Sequence, residues 1–232
     1  MTRLLGLVYC DSVAPMAITR ALGEGALKVL ASVLILGQDG WEAFSLDAYE
    51  QVFCSAAKGN LVAEIKWRMV KGDRRTISGK VSAPAVADSQ IQSMVEFEFS
   101  WGESADSFFD NLDELLAFLW TLSDHLKPVS LVVEAKKAPR EVTLLRADRF
   151  ERSDSRSLCY LDWITGASHR LQIAERLRAL RDQVFRFHDG EELVMLVTSE
   201  QPLDLKREAD RDLLNRLEFL AGLDSETDGD PS

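Results

Sequence analysis

The chain has 232 residues, 46% of them hydrophobic and 28% charged, and a formal net charge of -11. That length and balance suit a folded protein with a real core, and 6 Pro with 13 Gly argue against long unstructured stretches. The acidic excess argues against direct binding of nucleic acid or anionic membrane, because neutralising phosphates takes clustered Lys and Arg.

Residues 3–10 read as a buried strand, and Asp11 interrupts the apolar run too early for a signal-peptide core. Segment 13–36 gives two opposed signals. Its Ala-rich stretches favour helix, Gly23 and Gly25 weaken one, and Val33–Leu36 favours a strand. The longest apolar region, 26–36, contains Lys28 and Ser32 and falls short of a membrane span. Cys10, Cys54 and Cys159 sit far apart at no metal or redox spacing, which predicts buried, reduced thiols in a cytoplasmic protein. A short helix is expected over 47–57, capped by Ser45 or Asp47, with Tyr49, Val52 and Phe53 on one side.

The pattern then turns to a period of two. Leu61, Ala63, Ile65, Trp67 and Met69 alternate with Val62, Glu64, Lys66, Arg68 and Val70. A turn at Lys71-Gly72-Asp73-Arg74 leads to a return strand through Ile77–Val81. Val95, Phe97, Phe99 and Trp101 alternate with Glu96, Glu98 and Ser100 in a third strand. The three make an antiparallel meander with one wet face. The aromatic positions read as its core side rather than as a stacking platform for bases, because their neighbours are acidic.

A helix is expected from Ser104 or Ser107 to about Leu126, with Phe108, Leu112, Leu115 and Leu119 as its apolar stripe and Pro128 beyond its end. On that helix Asp106, Asp110 and Asp113 would stand at i, i+4 and i+7. Strands follow at 129–134, near 142–146 and at 158–163, with a charged loop at 146–157. Ser168 is expected to cap a helix with Ile173, Ala174, Leu177 and Leu180 inward, leaving Glu175 and Arg178 in solvent. Asp189-Gly190 signals a hairpin between 184–188 and 193–197. A last helix over 204–223 would bury Leu205, Ala209, Leu213, Leu217 and Leu220. Blocks of helices and antiparallel strands give an α+β class. The expected organisation is one domain over 1–223, with any subdomain boundary near 127–157, and a disordered acidic tail at 224–232.

Charge is unevenly spread. Between Lys80 and Lys127 there is no Lys or Arg, while Asp88, Glu96, Glu98, Glu103, Asp106, Asp110, Asp113, Glu114 and Asp124 are acidic. A one-sign field repels itself and persists best where something positive meets it. Lys66, Arg68, Lys71, Arg74, Arg75 and Lys80 cluster on the first hairpin, making the molecule dipolar and offering pairs to the acidic region or to a partner.

Motifs of catalysis are sparse. The sequence holds neither a dinucleotide fingerprint, a Walker loop nor a Gly-x-Ser-x-Gly elbow. His125, His169 and His188 have no His or Cys at ligand spacing, so neither a metal nor another cofactor is expected. One pattern fits chemistry: Asp124 with Glu134 and Lys136 matches the Asp…Glu-x-Lys arrangement of metal-dependent nucleases, in which two carboxylates hold magnesium and the lysine positions water. Its acidic surroundings suit a polyanionic substrate poorly.

The C-terminal third reads Tyr160-Leu161-Asp162-Trp163, a helix, the Asp189-Gly190 hairpin, then Glu200-Gln201-Pro202-Leu203-Asp204 before a Leu-rich helix. This order resembles the immunity 52 family of bacterial polymorphic toxin systems. The resemblance implies a non-enzymatic cytoplasmic protein that binds and neutralises a cognate nuclease toxin, of the kind linked to type VI secretion and encoded by an adjacent gene. The charge reading converges on the same partner, since a nuclease offers a basic surface. The contact residues expected are Glu96, Glu98, Glu103, Asp106, Asp110, Asp113 and Glu114, accepting from toxin Lys and Arg. The rival readings are a magnesium nuclease using Asp124, Glu134 and Lys136, and a general protein-interaction module.

Overall fold

The structure, a computed structural model, describes residues 2–11, 13–85, 93–102, 106–135 and 161–223. Asp88, Glu103, Lys136, Cys159, the strand expected near 142–146, the charged loop at 146–157 and the tail at 224–232 lie outside these residues. The chain forms two compact units, Met1–Pro128 and Val129–Ser232. Helices and antiparallel strands make both, so the class is α+β.

The first unit runs β1 (Thr2–Cys10), α1 (Pro15–Lys28), β2 (Ser32–Gly37), β3 (Gly40–Ala43), α2 (Leu46–Ala56), β4 (Val62–Lys71), β5 (Arg75–Pro84), β6 (Ser93–Trp101) and α3 (Leu112–Leu126). Its strands lie in the order β3-β2-β4-β5-β6-β1, with every neighbour antiparallel. The period-two pattern decides the faces. Ala63, Ile65, Trp67 and Met69 of β4 are buried, as are Val95, Phe97, Phe99 and Trp101 of β6. Each fully buried large side chain contributes roughly 1.5–3 kcal/mol, so this face contributes substantially to the unit's stability. Leu61 is the exception at 72% exposed, because the ladder begins only at Val62.

Ile18, Ala21, Leu22 and Ala26 of α1 and Leu115, Phe118, Leu119 and Leu122 of α3 are buried with that face. Phe118 meets Phe97 edge-on at 5.5 Å, and Phe99 meets Phe109 likewise at 5.0 Å, so the aromatics are core. Segment 13–36 resolves into helix then strand. Gly25 stays in the helix because a Cβ there would lie 2.9 Å from the Phe118 ring, so its bareness lets α1 approach α3. Ser45 caps α2, accepting from the Ala48 amide at 3.1 Å.

The expected helix from Ser104 or Ser107 starts late. Asn111 is the cap, its side chain accepting from the Glu114 amide at 2.9 Å, while the Ser107 hydroxyl turns to the Phe109 carbonyl at 2.9 Å. Asp106 and Asp110 therefore precede the helix, and no i, i+4, i+7 row of aspartates forms. The cysteine expectation also changes. Cys10 is buried and its thiol is pushed up to about 12, by desolvation first and the Asp11 carboxylate second, but Cys54 is exposed on α2.

The second unit comprises β7 (Ser130–Ala135), β8 (Ile164–Ser168), α4 (Gln172–Ala179), β9 (Arg186–Asp189), β10 (Leu193–Val197) and α5 (Glu208–Leu220). The order is β7-β8-β10-β9, again antiparallel throughout. Every residue of β10 is buried, which explains its unbroken apolar run.

Four expectations shift here. Leu161–Trp163 is not strand: the Leu161 amide donates to Glu218 at 2.9 Å and the Asp162 amide to the Thr165 hydroxyl at 2.9 Å, so side chains replace the ladder. Ser168 ends β8 instead of capping α4, whose preceding residue is Leu171. Asp189 belongs to β9, paired with Val194, so the turn is longer than two residues. The last helix starts only at Glu208, after the buried Leu205, and buries Leu214, Leu217 and Glu218, while Ala209 and Leu220 are exposed and Leu213 is half-buried. No helix among the described residues is long and apolar enough to cross a membrane.

Candidate functional site

Among the described residues, the acidic positions named from sequence lie on β6, on α3 and in the segment between them. Glu96 and Glu98 occupy alternate, half-buried positions of β6, on the face opposite the core. Asp106 is exposed in the turn after β6, Asp110 lies just before α3, and Asp113 and Glu114 fill the first turn of α3. Acidic side chains there offset the positive end of the helix dipole. Glu114 also reaches back, accepting from the Asp110 amide at 2.6 Å, which completes a capping arrangement with Asn111.

This patch is not bare. Lys71 and Arg75 face each other across the β4–β5 turn, and the tip they form meets the start of α3. Lys71 Nζ donates to Asp110 at 2.9 Å and to Glu114 at 2.6 Å, and Arg75 donates to the other Asp110 oxygen. The hydrogen bond from Lys71, then that from Arg75, holds the Asp110 carboxyl below its ordinary value. Desolvation opposes the charge on Lys71, but the hydrogen bonds to Glu114 and Asp110 outweigh it and raise its value. Further along the sheet Lys80 Nζ lies 3.5 Å from Glu96 and 3.8 Å from Glu64. The run that is wholly acidic in sequence is thus partly neutralised in space by the basic hairpin that precedes it.

The open face carries a different feature beyond Lys80. The Arg68 guanidinium stacks over the Trp41 ring at 4.4 Å, and Trp41 is 40% exposed. A cleft of about 760 Å³ lies between the β2–β3 hairpin and α2, lined by Asp39, Trp41, Glu42, Gln51, Cys54 and Lys58 among others.

Asp124 is exposed on α3 of the first unit, Glu134 is half-buried on β7 of the second, and Lys136 lies outside the described residues. Among the described residues no group of three or more His, Cys, Asp and Glu is arranged to hold a metal ion.

Sequence reasoning missed a polar cluster in the second unit. His169 Nε2 donates to the Gly190 carbonyl at 2.8 Å, and its Nδ1 accepts from Arg178. Arg178 also holds Asp189 through Nε at 2.9 Å and pairs with Glu175, so it is bound rather than solvated. That hydrogen bond lowers the Asp189 carboxyl below its ordinary value. The cluster pins the β9–β10 turn to α4, and nothing in the helix pattern announces a partner in a later strand. His125 similarly joins α3 to Glu24 of α1 at 2.9 Å.

No family model matches the chain, so the resemblance of its C-terminal third to the immunity 52 family stands on the order of those motifs alone. No curated protein matches it. Among solved structures the chain is similar to the Pseudomonas aeruginosa T6SS protein PA0821, with a TM-score of 0.58 and 12% identity over 95% of this chain and 74% of that one. At that identity the likeness is one of fold.

Proposed function

We propose that this protein is a cytoplasmic immunity protein of a type VI secretion (T6SS) setting, which neutralises an antibacterial nuclease toxin by binding it and performs no chemistry itself. The observation that carries the reading is the fold shared with a T6SS protein along nearly the whole chain. The acidic patch supports it from a separate direction, because a nuclease must present cations to its substrate. Asp106 and Asp113 are the exposed contacts among the described residues, Glu96 and Glu98 are half-buried further contacts on β6, and Glu103, outside the described residues, completes the set named from sequence. Asp110 and Glu114 already hold Lys71 and Arg75, so their part is to fix the patch as well as to touch the partner. Long-range attraction between patch and toxin would raise the association rate, and desolvated contacts would set the lifetime.

The test is co-expression with the product of the adjacent gene, scoring survival and co-purification. Rescue with a stable complex is the expected result; neither rescue nor complex sinks the reading. Asp106→Lys combined with Asp113→Lys should slow association and flatten its salt dependence. Unchanged kinetics in that pair would place the interface elsewhere.

A further inference from the structure

The open face of the first unit's sheet combines two cations and a fixed aromatic in a manner that the acidic patch does not explain. Arg68 and Lys66 are alternate residues of β4 and share that face. Across β5 the rung of Arg68 continues through Ser78 to Glu98, which stands two strand spacings of about 4.8 Å away. The Arg68 guanidinium leans the other way, over Trp41 of β3. Its Nε is buried without a hydrogen-bond partner, and a buried donor left unmade is costly. Lys66 stands directly opposite Lys80, and Lys80 is drawn to Glu96 and Glu64. Among the described residues no carboxylate lies within ion-pair distance of Lys66 or Arg68. In a chain of net charge -11, two adjacent cations without an ion pair among the described residues, one of them stacked on a part-exposed indole, form a preorganised site for a negative group.

We infer that Arg68, Lys66 and Trp41 form a second contact surface, which takes a carboxylate side chain of the protein partner together with an apolar neighbour packed on Trp41. Nucleic acid is the poorer occupant, because Glu64, Glu96 and Glu98 share the face and repel a polyanion more strongly than a single carboxylate. Arg and Trp are also the residue types that concentrate binding energy at interfaces. The inference rests on the toxin-binding reading above and adds to it. The partner would meet the acidic patch with cations and this surface with an acid, which fixes its orientation.

Binding kinetics of the purified toxin to wild type, Arg68→Gln, Arg68→Lys and Trp41→Leu test the inference, with thermal melting as the check on folding. A fixed, desolvated contact acts on dissociation. Arg68→Gln is therefore expected to speed dissociation by about tenfold or more at little change in association rate, with Arg68→Lys in between. Trp41→Leu, which removes the stacking partner, should fall with Arg68→Gln. Wild-type binding that Arg68→Gln leaves unchanged would overturn this surface while leaving the immunity reading intact. A wild type that does not bind the toxin would overturn both. Binding of a labelled single-stranded oligonucleotide to wild type that Arg68→Gln abolishes would overturn the assignment to a protein carboxylate.

Discussion

One methyl group added at Gly79 and one added at Gly23 should move stability in opposite directions. Gly23 sits inside α1 with nothing within 4 Å of the place a Cβ would occupy, so Gly23→Ala removes backbone entropy at no steric cost. That change is worth roughly 0.5–1 kcal/mol of stabilisation. At Gly79 of β5 the same Cβ would fall 2.3 Å from Trp67 Cζ2 and 2.5 Å from the Glu96 carbonyl oxygen. The indole is fully buried and cannot retreat, and the carbonyl belongs to the adjoining strand. The strands must separate or Trp67 must leave its rotamer, an overpacking cost of about 1–3 kcal/mol. Urea denaturation followed by far-ultraviolet circular dichroism measures both, with the slopes compared to confirm that the same surface unfolds. Equal or greater stability in Gly79→Ala, or no gain in Gly23→Ala, would refute the packing described for this sheet.

Three further outcomes can be checked in the same way. Glu218 is 6% exposed and accepts from the Leu161 amide, so Glu218→Ala should cost about 1–3 kcal/mol through a buried donor left unmade; Glu218→Gln, which keeps an acceptor, should cost less. Leu30 follows the α1 C-terminus with φ 54 and is 86% exposed, so Leu30→Gly should gain about 1 kcal/mol by relieving left-handed strain, and a loss would show that the leucine side chain makes a stabilising contact. For Asp110, whose folded value lies below its ordinary 3.8, the ion pair stabilises above that value and fades as pH falls through the folded one. The gap between wild type and Asp110→Asn should stay under about 1 kcal/mol at neutral pH, because the carboxylate is 54% exposed, and close below pH 3.8; a gap that widens on acidification contradicts the pairing.

What the sequence made legible follows the strength of its local pattern. Strands β4 and β6 could be read residue by residue because one face is core and the other is not, and a period of two records that directly. The start of α3 was misplaced because Ser104, Ser107 and Asn111 are all competent caps in sequence. Phe108 and Phe109 are buried just ahead of Asn111, a tertiary choice that local cap chemistry does not record. The charge run was legible as composition but not as a surface: Lys71, Arg75 and Lys80 come back to it through a hairpin whose partners are 16 to 43 residues away in the chain. The Arg68–Trp41 stack escaped notice for the same reason, since β2 lies between their strands.

The pairing of β1 bears on the order in which the first unit assembles. Thr2 finds Trp101 and Cys10 finds Ser93, so the first strand of this unit is matched by one that appears some ninety residues later. The β4–β5 ladder, by contrast, closes over the short turn between Lys71 and Arg75. Local hairpins of that kind form in about 1–10 μs, whereas long-range pairings wait on loop closure. During synthesis at about 5–20 residues per second, the apolar strand Leu4–Cys10 therefore spends several seconds without β6. In that interval its unpaired N–H and C=O groups can template pairing with another chain.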